Sequence, residues 1–256
     1  MIAADIKHLL QRRFPRQLSF LRARLAPEGL FGRHFTIGAT LLIGAAWLFG
    51  GIAEDLITGD PLVLIDAFIS EWLRSHTTPR FTRWMQYVSA LASTSAVIIL
   101  TLIMAFVLLW KRLWYWLSGL VFAVAGGIIL NLLLKDLLGR ARPGWADAAL
   151  ADAGFPSGHT MMATLIYGFI ATYLILGTRS WPARFLIALM AIAVIFLIAL
   201  SRLYLGAHYL SDVLGAMAAG MVWLTLCLTT VEIVHRYRTR SSSGAWCSAG
   251  QIKQSR

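Results

Sequence analysis

The chain has 256 residues, of which 58% are hydrophobic and 14% charged, with a mean hydropathy of +0.69. Soluble domains carry roughly a quarter charged residues, so this balance excludes an ordinary water-soluble globule, and it equally excludes a disordered chain. The excess of 23 Lys+Arg over 12 Asp+Glu gives +11, a surplus to be tested first as membrane topology and only then as affinity for nucleic acid.

The first 34 residues form a basic arm with Ile6, Leu9 and Leu10 set among Lys7, Arg12 and Arg13. The arm lacks the apolar centre of a cleavable signal and reads as a cytoplasmic segment, either seated on the lipid surface or loosely ordered. Crossing a bilayer takes about 20 apolar residues per helix. Six stretches approach that length: 35–53, 87–110, 113–134, 161–176, 185–200 and 209–230. None alternates as a strand does, and lipid admits only helices or closed barrels, so the expected fold is all-α, a bundle of six transmembrane helices over residues 35–232. Between the first two spans, Leu62, Ile65, Phe68, Ile69, Trp72 and Leu73 recur at helical spacing, with Asp66, Glu71 and Arg74 assigned to a polar face. This predicts a short helix along the outer interface, covering a lipid entrance or serving as a packed connector. Residues 233–256 read as a basic tail, Ser/Gly-rich and expected to be disordered from Ser241. Cys227 and Cys247 have neither metal-like spacing nor an evident disulfide role.

With six spans both ends share a side. Sixteen of the basic residues then fall with the termini and seven opposite, where nine of the 12 acidic residues also lie. The positive-inside rule puts both termini in the cytoplasm, which accounts for most of the basic surplus and leaves no call for a nucleic-acid partner.

Ionisable residues near a membrane core are costly and mark function by default. Here they gather in three segments, all on the outer side. At the end of span three stand Lys135, Arg140, Arg142 and Pro143. Lys135 is a point charge and Arg142 a two-pronged donor suited to phosphate, although charges at a span end also snorkel. Pro156, Ser157, Gly158 and His159 precede span four. There a Ser cap, a Gly that lets a ligand approach, and a helix N-terminus make an anion site, with His159 beside it to move a proton; a plain helix start is the structural alternative. Ser201, Arg202, His208 and Asp212 form the third segment. His208 and Asp212 lie four apart, so a carboxylate on one imidazole nitrogen leaves the other as nucleophile or base, unless the pair only holds two helices together.

The combined pattern K-x6-R-P, P-S-G-H and S-R-x5-H-x3-D, across residues 135–212, resembles the type-2 phosphatidic acid phosphatase superfamily, which includes bacterial acid phosphatases and vanadium haloperoxidases. No signature position departs from that pattern. The resemblance implies that His208 is a nucleophile forming a phosphohistidine, that Asp212 orients it and that His159 protonates the leaving group. It also implies that Lys135, Arg142 and Arg202, with Ser157 and the Gly158 backbone, hold the phosphoryl oxygens, without metal or cofactor. Asp136, Arg140, Asp147 and Asp152 share the first loop and receive no role. The expected function is hydrolysis of a lipid phosphate, with phosphatidic acid, phosphatidylglycerophosphate and undecaprenyl diphosphate as candidate substrates. The expected location is a bacterial inner or plasma membrane, with the site on the periplasmic or extracellular face. A lipid phosphotransferase of the same family, a transporter and a silent membrane scaffold are the alternatives.

Overall fold

The computed structural model describes residues 33–59, 61–143 and 153–254. The arm before residue 33, with its Ile6, Leu9 and Leu10 pattern, and the loop acids Asp147 and Asp152 lie outside the described residues. Among the described residues eight helices follow in order: α1 (Arg33–Thr58), α2 (Pro61–Ser75), α3 (Pro79–Ala90), α4 (Thr94–Trp110), α5 (Trp114–Leu138), α6 (Gly158–Gly177), α7 (Trp181–Tyr204) and α8 (Leu210–Gln254). There is no strand among the described residues. Six helical stretches among the described residues are long and apolar enough to cross a membrane, with α3 and α4 together making the second. The protein is an all-α, multi-pass membrane bundle.

The helices run a few residues past most of the expected span ends, and two boundaries differ by more. Span two begins at Pro79, not Tyr87, because α3 is amphipathic: Arg80, Arg83 and Gln86 interrupt the apolar run, while Met85 and Ser89 are buried. The helix breaks at 91–93, and Ser93 restarts it by accepting the Ala96 N–H at 3.3 Å. The backbone at the other end stays helical to Gln254, past the Ser241 limit where the tail was expected to lose structure. Extending a helix already nucleated in the bundle gains one hydrogen bond per residue fixed.

The bundle is inside-out relative to a soluble protein. Ile43, Trp47, Leu102, Phe122, Phe185 and Ile192 are exposed along the spans, as lipid-facing residues must be. The core lies between α6 and α8, where Met161, Leu165, Ile166 and Phe169 meet Ala216, Ala219 and Leu224, with Leu120 and Ala123 of α5 alongside. Apolar burial drives little association in lipid, so contact comes from close backbone approach. A Cβ on Gly127 would stand 2.2 Å from Leu165 Cδ1, and one on Gly126 2.2 Å from the Trp223 ring. The interfacial helix runs as expected over Pro61–Ser75 and packs on α1, α7 and α8. Its Asp66 faces inward and is 1% exposed, whereas Glu71 and Arg74 pair with each other at the surface. The assignment of Asp66 to a polar face is therefore corrected.

Candidate active site

Lys135 stands in the last turn of α5. Gly139 ends that helix in the left-handed region, φ 42°, and donates its N–H to the Lys135 carbonyl at 3.0 Å. The chain turns there, so Arg140 and Arg142 run back over the bundle end. The Arg140 carbonyl accepts the Gly154 N–H at 2.6 Å, and Arg142 Nη1 donates to the Ala207 carbonyl at 3.3 Å. The first segment is thereby laid against the other two.

Phe155 fixes the second segment. It is fully buried, and its ring fills the space over Gly215, where a Cβ would meet it at 2.5 Å. The Ser157 N–H donates to the Asp212 carbonyl at 3.1 Å, tying the start of α6 to the start of α8. Ser157 occupies the N-cap position, but its hydroxyl makes no capping bond and instead accepts from Thr160 Oγ1 at 3.1 Å. The expectation of a Ser cap is corrected: the hydroxyl is turned toward Thr160, so the first turn of α6 starts without a side-chain cap. Gly158 lies against Asn131, whose Oδ1 would stand 3.3 Å from an added Cβ.

The third segment leaves α7 through Ser201 and Arg202, both buried. Arg202 Nη1 donates to Ser89 Oγ at 2.7 Å, while its buried Nε has no hydrogen-bond partner among the described residues. At α8 the spacing of Tyr209 and Asp212 makes a reach-back cap, in which Asp212 Oδ2 accepts the Tyr209 N–H at 2.9 Å. The same oxygen faces His208 Nδ1 at 3.5 Å, long for a hydrogen bond yet within ion-pair range. Nδ1 toward Asp212 leaves Nε2 as the ring's second nitrogen. Burial holds the His208 imidazole below the ordinary histidine range. Asp212 pulls it upward, and the charges of Arg202 and Arg142 push with burial.

His159 lies within electrostatic reach of Arg202, His208, Arg142 and Lys135 together. Both imidazoles and the three cations singled out in the sequence thus converge on one end of the bundle.

Three polar residues with no role in the sequence reading belong to the same region. Asp66 Oδ1 accepts the Ser211 N–H at 2.9 Å, and its Oδ2 accepts Ser211 Oγ at 2.5 Å and Arg140 Nη2 at 2.8 Å. Arg140 Nη1 donates to Asp212 Oδ1 at 3.1 Å and also to Ser211 Oγ. The Arg140 guanidinium lies over the Tyr209 ring, 4.3 Å from its centre. One sequence signal was available: Asp66 sits at i+4 from Leu62 and i−3 and i−7 from Ile69 and Leu73, a lone carboxylate on an apolar stripe.

Residues 116–236 match the PAP2 superfamily. Phosphatidylglycerophosphatase B of Bacillus subtilis is 29% identical over 156 residues, 58% of this chain and 74% of that protein. Lipid A 1-phosphatase of Rhizobium johnstonii is 33% identical over 129 residues, 45% of this chain; the match spans only 48% of that relative. In structure, the chain superposes on a transmembrane PAP2-type phosphatidylglycerolphosphate phosphatase from Bacillus subtilis with a TM-score of 0.62 and 25% identity, covering 76% of this chain and 96% of that one. LpxE of Aquifex aeolicus shares the fold, with a TM-score of 0.50 and 21% identity over 64% of this chain and 94% of that one. The match to the PAP2 superfamily covers residues 116–236, a little under half of the chain, and the bundle shares the fold of a transmembrane PAP2-type phosphatase.

Proposed function

We propose that the protein is a membrane-embedded, metal-independent phosphatase of lipid phosphates that works through a phosphohistidine. The observation that carries this reading is Arg202: a buried guanidinium, held on one side by Ser89, with an unused Nε and with both His159 and His208 in its field. A buried donor left unpaired is costly, and a phosphoryl oxygen satisfies it. The names of the Bacillus and Rhizobium relatives, a phosphatidylglycerophosphatase and a lipid A 1-phosphatase, support the substrate class.

Phosphoryl transfer asks the protein mainly for position and charge neutralisation. Lys135, Arg142 and Arg202 supply the charge, and the first-turn N–H groups of α6 at Gly158 add donors where the helix dipole is positive, beside Ser157. His208, its Nδ1 proton held toward Asp212, attacks phosphorus through Nε2. The bond from phosphorus to the lipid-side oxygen breaks, and that oxygen takes a proton from His159. Water then gives its proton to His159 and attacks phosphorus; the new P–O bond forms as the P–Nε2 bond breaks, which frees inorganic phosphate and restores neutral His208. The charge bias between the two sides puts both termini in the cytoplasm and the reaction at the outer face of a bacterial inner or plasma membrane.

The test is a panel assay on purified protein in detergent micelles, offering phosphatidic acid, phosphatidylglycerophosphate, undecaprenyl diphosphate and a soluble phosphate ester. Release of inorganic phosphate, inhibition by vanadate, a phosphoenzyme absent from His208→Ala, and activity that survives chelator are expected. Phosphate appearing only on an added acceptor would replace the hydrolase with a phosphotransferase, and activity lost to chelator would overturn metal independence.

A further inference from the structure

Asp66 is not among the residues that the family match covers, yet it is one of the most deeply buried polar groups among the described residues. Fastening an amphipathic helix needs no such residue. On the inner face of α2, Leu62, Ile69 and Leu73 already supply apolar contact, and a buried carboxylate adds a desolvation cost that a leucine would avoid. What the carboxylate adds is direction. Its two oxygens receive the Ser211 N–H, the Ser211 hydroxyl and Arg140 Nη2. The other arm of the same guanidinium reaches Asp212 Oδ1 at 3.1 Å. Asp212 is then held at both oxygens, by Arg140 on Oδ1 and by the Tyr209 N–H on Oδ2, the oxygen that faces His208.

We propose that Asp66 and Arg140 are positioning residues for the reaction: α2 sets the plane of the Asp212 carboxylate, through Arg140 and Ser211, and Asp212 in turn aims the His208 ring. This deepens the reading of His208 as nucleophile and rests on it. The network also meters charge. Arg140 divides its charge between Asp66 and Asp212, so neutralising Asp66 concentrates it on Asp212 and weakens the pull of Asp212 on the imidazole. The other groups acting on His208 are Arg202 from α7, Arg142 from the segment after α5 and His159 from α6, and none of them changes in this substitution.

The experiment compares full-length wild type, Asp66→Asn and Ser211→Ala in micelles, with phosphatidylglycerophosphate and phosphatidic acid as substrates. Histidine-labelled protein is titrated by NMR, the His208 signal being identified by its loss in His208→Gln. For Asp66→Asn the expected result is a fall in kcat of about 10- to 100-fold, the scale of outer-shell partners. KM and vanadate affinity stay within twofold, because the phosphate clamp is intact, and the His208 titration moves to lower pH. Ser211→Ala, which keeps its N–H bond to Asp66 and loses only the bridging hydroxyl, shifts kcat in the same direction by less; it keeps the test alive if Asp66→Asn does not fold. A wild-type kcat in both variants overturns the proposal, as does a lower kcat with an unmoved His208 titration, which is the mark of a scaffold contact. If wild type itself turns over no lipid phosphate, the function proposed above fails, and the titration still decides whether α2 governs the histidine.

Discussion

Two helices begin at the same end of the bundle, and they begin differently. The first turn of α8 is filled by the protein's own carboxylates: Asp66 takes the Ser211 N–H, and Asp212 reaches back to the Tyr209 N–H. The first turn of α6 has no such cap, since the Ser157 hydroxyl turns to Thr160. Free N–H groups and the positive dipole end make any helix start an anion site, so the difference lies in who supplies the anion. At α8 the anion is internal and the result is a fixed scaffold for Asp212. At α6, under the proposed function, the anion is the substrate phosphate, held beside Arg202, Arg142 and Lys135.

The largest break in this contrast comes from the residue that joins the two ends. His208→Ala is expected to remove the phosphoenzyme and to cost on the order of 10⁶-fold in kcat, the scale for losing a nucleophile, read by burst-phase quench with labelled lipid. His159→Gln, at the open helix start, is expected to slow phosphoenzyme formation by about 10²–10⁴-fold. The loss should be greatest for lipids with poor leaving groups, so a leaving-group series separates proton donation from general damage. At the filled helix start the effect moves from rate to stability. Arg140→Met leaves Asp66 and Asp212 buried without their shared cation, and about 3–5 kcal/mol of stability is expected to go, measured by thermal unfolding in detergent. Arg202→Gln removes a donor from the open end and is expected to cost about 10²–10³-fold in kcat/KM, with vanadate affinity falling in step.

The smallest effect sharpens the contrast by pH. Burial places the His208 imidazole below the ordinary histidine range while Asp212 pulls it upward. Its neutral form, the nucleophile in the proposed function, is therefore lost only as pH falls through the lowered pKa. Asp212→Asn deletes the upward pull, so the ring is expected to titrate lower still; NMR of histidine-labelled protein reads both positions.

How far the sequence reached depends on which interactions are local. The apolar length of a span is fixed by helix geometry and was legible; the spacing of His208 and Asp212 also pointed to a pair, but His208 stands in the bend before α8 and meets Asp212 from there, not from a shared helical face. The start of α3 was not legible, because Arg80, Arg83 and Gln86 mask the helix from a search for apolar runs while Met85 and Ser89 are buried. The Ser157 cap failed for a related reason: a hydroxyl chooses among nearby acceptors and donors, and Thr160 on the next turn competes with the backbone. Glu71 and Arg74 did form the polar surface expected of α2, but Asp66, ahead of both in the chain, did not.

Composition, period and charge bias determined by themselves that this chain is a six-span helical membrane protein, and the three motif segments marked Lys135, Arg142, Ser157, Gly158, His159, Arg202, His208 and Asp212 as a set. Only the tertiary structure decided that Arg140 faces two carboxylates and that Asp66, separated from it by 74 residues in the chain, holds the other side of the same guanidinium. The physical reason is range. Periodicity and helix ends are written in neighbouring residues, whereas a buried ion pair is specified by which faces of distant helices meet, and that follows from packing the whole bundle.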